Sequence, residues 1–237
     1  TVAGTNAGNN FSGTDAERNS LFGYQAGSSI TGAGNNSFFG SNAGKDTTGV
    51  DNSGFGQAAL ESNTTGTNNV GIGRKALQNN TTGADNIAIG HEALKSGTTN
   101  TQTIAIGSQV FAQGADSYNV AIGYYACRWQ TGDSNVAIGH SALHYGSDCD
   151  DNVAIGYYAM NGNSSTPCSG DKNVAVGYES LKAYDTTSNS TAVGYQALKS
   201  CTVGQHNTAI GYLAGDALTT ALDCTFLGRD AGGGVTT

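Results

Sequence analysis

Four histidines, five cysteines, a short run of carboxylates and a set of spaced tyrosines are the residues of this chain that could do chemistry. The histidines are His91, His140, His144 and His206. A Ser-His-Asp site would need one of them beside a nucleophile, and the nucleophile-elbow pattern Gly-x-Ser-x-Gly does not occur. The cysteines are Cys127, Cys149, Cys168, Cys201 and Cys224, with no Cys-x-x-Cys pair, so a zinc site has no support. Cys149 and Cys168 stand at similar places in neighbouring segments, which leaves a bridge between them open; partly buried thiols are the alternative. Asp148, Asp150 and Asp151 could hold a cation or could be solvated turn carboxylates. Tyr24, Tyr124, Tyr157, Tyr178, Tyr195 and Tyr212 each follow a recurring glycine, with Tyr125 and Tyr158 beside two of them. Aromatic faces stack on sugars, so Tyr124, Tyr157, Tyr178, Tyr195 and Tyr212 form a candidate glycan-contact stripe. The other reading is a ladder of rings that stabilises the fold or a subunit interface.

Composition narrows the setting. Glycine supplies 36 of 237 residues, about twice the usual share. Charged residues are 12%, against about 25% in ordinary domains. The net charge is −8 and no basic stripe exists, which argues against nucleic acid and anionic membrane surfaces as partners. No apolar run approaches the ~20 residues of a membrane-spanning helix. The chain begins Thr1-Val2-Ala3-Gly4 and its single methionine is Met160, so a fragment, a processed chain or the ordered part of something longer is expected.

The spacing of one motif dominates the sequence. Asn-Val-Ala-Ile-Gly ends at Gly123, Gly139 and Gly156. Variants end at Gly73, Gly90, Gly107, Gly177, Gly194 and Gly211, and looser ones at Gly4, Gly23, Gly40, Gly56 and Gly228. Successive glycines are 16 or 17 residues apart except for intervals of 19 and 21, which read as loop insertions near 9–17 and 161–170. Three residues after the glycine comes Ala in twelve of fourteen copies, and then most often Leu. That slot becomes Gly at Gly8, Gly27, Gly44, Gly215 and Gly232. Polar turns such as Asn80-Thr81-Thr82-Gly83 complete the unit.

Val136-Ala137-Ile138 alternates with a period of two, the pattern of a short strand. Ala142-Leu143 predicts a second, shorter strand, and the Asn-Thr-Thr-Gly stretches predict turns. A coil of this kind stacks in parallel on the next at about 4.8 Å. The fold class is therefore all-β: a parallel β-solenoid, or β-roll, of about fourteen 16–17-residue coils, organised as a single repeat domain over 1–237. His91 and His140 then lie three coils apart, roughly 14 Å, too far for one metal. Asn recurs four residues before the glycine in ten copies. Asn69, Asn86, Asn119, Asn135, Asn152 and Asn173 are expected to stack into a structural amide ladder. Each coil offers few apolar side chains, which points to oligomerisation through the Ala-bearing faces. No cofactor motif is present. Hexapeptide acyltransferase repeats would need an aliphatic residue every six positions, and calcium-binding nonapeptides would need Gly-Gly-x-Gly-x-Asp. Neither occurs, so the chain is not expected to be an enzyme.

The motif with its downstream Ala-Leu resembles the head repeats of trimeric autotransporter adhesins, the YadA-like head. It also resembles the repeats of phage and viral tail-fibre proteins; Asn207-Thr208-Ala209-Ile210-Gly211-Tyr212 carries that likeness. The resemblance spans nearly the whole chain. It implies a left-handed roll assembled as a homotrimer, located on a virion or cell surface. The function it implies is a structural or adhesive fibre segment that attaches to a host glycan or protein. A self-assembling extracellular filament subunit is the alternative, and a solenoid enzyme comes last.

Overall fold

The computed structural model describes residues 1–10, 18–113, 117–163 and 169–236. The chain is an all-β parallel solenoid with fourteen strands and no helix among the described residues. It divides into two compact units, Thr1–Tyr118 and Asn119–Thr237, both built of the coil read above as one repeat domain. The first unit stacks β1 (Val2–Ala3), β2 (Ser20–Phe22), β3 (Ser37–Phe39), β4 (Ser53–Phe55), β5 (Val70–Ile72), β6 (Ile87–Ile89) and β7 (Ile104–Ile106). The second stacks β8 (Val120–Ile122), β9 (Val136–Ile138), β10 (Val153–Ile155), β11 (Val174–Val176), β12 (Thr191–Val193), β13 (Thr208–Ile210) and β14 (Thr225–Leu227). Much of the two expected insertions, residues 11–17 and 164–168, lies outside the described residues, and so does Cys168.

Strands pair in register, so each motif position forms a column. Val136 lies opposite Val120 and Val153, and Ala137 opposite Ala121 and Ala154. Every strand of three residues is followed directly by the motif glycine. Gly139 has φ +136°, and a Cβ there would lie 2.4 Å from the carbonyl oxygen of Gly156 in the next coil. Both the conformation and the close approach exclude a side chain.

The second side of the coil is not the short strand that Ala142-Leu143 predicts. It is a stack of turns. Leu143 has φ 49° and Ser141 φ 53°, and the same two positions are left-handed in the neighbouring coils, at Tyr125 and Cys127 and at Tyr158 and Met160. A left-handed backbone cannot extend into a strand. The turns are nevertheless bonded coil to coil: the Leu60 N–H donates to Ala76 O, Leu77 to Ala93 O and Leu143 to Ala159 O, each at 3.0 Å. These bonds hold residues in a conformation that costs about 1–2 kcal/mol for an L side chain.

The inward face is also the reverse of the one that would leave Ala available to a partner chain. Ala137, Ala142 and Leu143 are fully buried within the chain, whereas Ile138 is 36% exposed. The turn side brings Leu across the coil, and the space left above the strand admits little more than a methyl group. Where the strand side carries a large residue, the turn side gives way. Phe38 occupies the strand slot in β3, and a Cβ on Gly44 would strike its ring at 2.3 Å. Gly27 faces Leu21 and Gly232 faces Phe226 in the same way. At Gly27, Gly44 and Gly232 the glycine in place of Leu therefore conserves core volume.

This exchange predicts a measurable coupling. Phe38→Ala and Gly44→Leu should each destabilise the first unit by about 3 kcal/mol or more, through a cavity and a clash respectively. The double variant, which recreates the Ala/Leu pairing of the other coils, should recover most of that loss in a denaturant-unfolding cycle.

Candidate functional site

The asparagine column is buried and fully used. Asn52, Asn69, Asn86, Asn119, Asn135, Asn152 and Asn173 are all inaccessible to solvent. The Asn135 side-chain oxygen accepts the backbone N–H of Asn152 at 3.0 Å. Its Nδ2 donates to Cys149 O at 2.7 Å and to the Asn119 side chain at 3.1 Å. Asn69 repeats the pattern with Asn86 N–H, Gly83 O and the Asn52 side chain, and Asn173 repeats it with Ser190 N–H, Thr187 O and the Asn152 side chain. Such carboxamides have no capacity left for a ligand.

The reactive candidates are likewise occupied or quenched. Burial pushes the Cys127 and Cys201 thiols up and raises Cys149 to about 11, so none supplies thiolate at neutral pH. The Cys149 Sγ lies 3.5 Å from the Tyr184 hydroxyl, and a bridge to Cys168 falls outside the described residues. The carboxylates of Asp150 and Asp171 accept backbone N–H groups of the preceding coil, from Asp133 and Asp150. Among the described residues no cluster of three His, Cys, Asp or Glu could hold a metal. His91 is bonded to Arg74 at 3.0 Å in the first unit; His140 and His144 stand in the second, among tyrosines.

The tyrosine stripe of the second unit is a continuous stack. Tyr157–Tyr178, Tyr178–Tyr195 and Tyr195–Tyr212 have centroids 5.3, 5.1 and 5.1 Å apart and planes within 11°. His140 joins Tyr157 to Tyr124 at 5.1 and 5.3 Å, and Arg229 lies over Tyr212 at 5.6 Å. Tyr157, Tyr178 and Tyr195 thus have a ring on either side. The column presents edges and hydroxyls to solvent, while a sugar that stacks needs a free face.

A face of that kind exists elsewhere in the same unit. Six residues past the motif glycine stand Ser29, Ser62, Asn79 and Ser96 in the first unit but Trp129 and Tyr145 in the second, followed by Gly162 and Ala183. The two aromatic residues wall a cleft of about 540 Å³, lined also by Arg128, Thr131, Gly146, Ser147 and Asn163. Trp129 is 45% exposed. The Arg128 guanidinium lies 4.3 Å from the Tyr125 ring centroid and 5.4 Å from that of Trp129. The sequence reading passed over this place because it followed the glycine and its tyrosine; the signal was two large aromatics in a column of small polar residues.

Two titrations in this unit bear on stability. Burial, helped by Arg128 and His140, lowers His144 to about 4. Burial alone would raise Glu179, but hydrogen bonds from Lys182, Lys199 and Gln196 outweigh it and hold the carboxyl at about 2. Both groups release protons more readily when folded, so both make stability decrease as the pH is lowered. The His144 contribution is complete above 6.5 and is lost between 6.5 and about 4, on the order of 3 kcal/mol. The Glu179 contribution is lost between 4.5 and about 2. Its lysines are about a third exposed, which limits it to about 1–2 kcal/mol.

Unfolding of the second unit should therefore weaken in two steps on acidification; His144→Gln should remove the upper step and Glu179→Gln the lower. Asn135→Ala, which strips the Asn152 N–H of its acceptor and Cys149 O of a donor, should cost about 3 kcal/mol at any pH in this range, read by urea titration. Neither a family model nor a curated protein nor a solved structure matches this chain.

Proposed function

We propose that this chain is a segment of a structural or adhesive fibre on a virion or cell surface, assembled as a left-handed homotrimer and attached to a host-surface glycan or protein. It works by presenting a stiff stack of coils and not by turning over a substrate. The observation that carries this reading is the outer face of the strands. Ile122, Ile138 and Ile210 remain 36%, 36% and 41% exposed, and Phe22, Phe39 and Phe55 stack on one another at 4.9 and 5.0 Å in the same column of the first unit. Val136 and its equivalents form a second column beside it, half-buried. Contiguous apolar columns left open to water mark surfaces that a partner covers. Subunits packed around a shared axis would cover them, with the Val/Ile columns at the interface in place of the Ala columns.

The packing inside the coil supports the mechanical part of the reading. Within each unit the strands pair in register, the Asn column is bonded from coil to coil, and no helix among the described residues is long and apolar enough to cross a membrane. Within each unit such a stack resists bending because neighbouring coils are tied to one another on both sides of the core.

Light scattering on the purified chain should give three times its 23.9 kDa mass. Ile138→Asp should reduce the mass to that of one chain while the β-type circular dichroism persists, and Ile138→Thr should leave the trimer intact. A monomer at micromolar concentration would sink the trimeric reading; a ladder of growing masses would favour an end-to-end filament.

A further inference from the structure

The cleft beside Trp129 has a chemistry that the tyrosine column lacks. Its aromatic wall is Trp129 and Tyr145. No ring stacks on Trp129 among the described residues, and His144 stacks on Tyr145 at 4.2 Å with planes 7° apart, bracing it. Aromatic walls of this size match the C–H face of a pyranose ring. The cleft also holds a cation without a counter-charge. No carboxylate lies within salt-bridge distance of Arg128 among the described residues, in a chain whose net charge is −8. Its Nε is buried and has no hydrogen-bond partner among the described residues. Lys182 and Lys199, by contrast, are both engaged by Glu179 at 2.6 and 3.0 Å. A guanidinium held between Tyr125 and Trp129 keeps its fork available for a planar or tetrahedral anion. Hydroxyl partners stand at the rim: Ser147 lines the cleft, and so does Thr131, whose hydroxyl is bonded to Asp148.

We propose that this cleft is a saccharide site selective for a sugar bearing an anionic substituent, with the ring on Trp129 and Tyr145 and the anion on Arg128. The proposal rests on the attachment reading above and identifies the part of the surface that does the attaching. A carboxylate and a sulfate would both satisfy Arg128, so the class is an acidic pyranoside and the two substituents are distinguished by experiment.

Trp129 is the only tryptophan, so its fluorescence reports on this site alone. The full chain, in its native assembly, is titrated with an oligosaccharide ending in a carboxylated sugar, with a sulfated oligosaccharide, and with the neutral parent of each. At least one acidic probe should shift the emission and bind about tenfold or more tighter than its parent, the stronger of the two naming the substituent. Calorimetry of variants completes the test. Arg128→Gln should bring acidic and neutral probes to equal affinity, Trp129→Ala should weaken all of them about tenfold or more, and Tyr178→Ala should change none. Melting curves of the variants check that each stays folded, and Trp129→Phe, which keeps an aromatic face, should retain binding. Equal affinity for acidic and neutral probes in the unaltered chain overturns the proposal, as does an unchanged preference in Arg128→Gln or the lack of any response at about 10 mM. Adhesion to host cells without saccharide binding would remove this site and leave the attachment reading standing. Saccharide binding without adhesion would do the reverse.

Discussion

The stack depends on a buried carboxamide that stands before the strand in ten of the fourteen coils. The asparagine before each strand accepts the backbone N–H of its counterpart in the next coil and donates to the carbonyl of the turn that precedes that counterpart. Both groups it satisfies are buried and would otherwise be costly orphans. The substitutions in this column show what is indispensable. Thr103 and Ser190 still offer their backbone N–H groups to Asn86 and Asn173, and the Ser190 hydroxyl accepts the N–H of Asn207 at 3.2 Å in place of an amide oxygen. At Ser190 a side-chain acceptor is thus kept for the next coil. The length of the coil can meanwhile vary, because changes in length fall in the turns between one asparagine and the next. The 21-residue spacing from Asn152 to Asn173 preserves the same contact at 2.9 Å.

Core packing follows from that fixed register. With the coils held in line, every buried slot faces the same slots above and below, and volume must balance within a coil and with its neighbours. Phe38 is accommodated by Gly44 within its own coil and by Gly54 in the next strand, where a Cβ would lie 2.8 Å from the ring. Leu60 lies likewise under Gly71, 3.3 Å from where its Cβ would be. Exchanges of this kind keep density high without lengthening the chain.

Much of this was legible in the sequence, and the rest was hidden for identifiable reasons. The period, the strand at Val136–Ile138 and the role of Gly139 follow from alternation and from a glycine that never varies. The orientation of the strand does not. Val-Ala-Ile is apolar at every position, and only the arrival of Leu143 from a left-handed turn decides that Ala137 goes inside. Left-handed Leu is contrary to ordinary propensity, so local preference pointed to a second strand where tertiary hydrogen bonding imposes a turn. The Leu-to-Gly exchange at Gly44 was visible as a pattern, but its cause is a ring from another part of the coil. Trp129 and Tyr145 were visible as residues and invisible as a pair, because their column is not part of the motif.

That last point separates the two aromatic features by physics. A column that repeats at the coil spacing brings like rings to about 5 Å, close enough to stack on one another, so regular aromatics satisfy themselves. Recognition needs unsatisfied surface, and in a strictly periodic stack such surface arises only where the period is broken. Trp129 and Tyr145 break it by size, and Arg128 breaks it by bringing a charge that no carboxylate pairs among the described residues. A solenoid can therefore carry a binding site at little structural cost, since the side chains at these outward turn positions contribute little to the asparagine contacts or the core that hold the coils together.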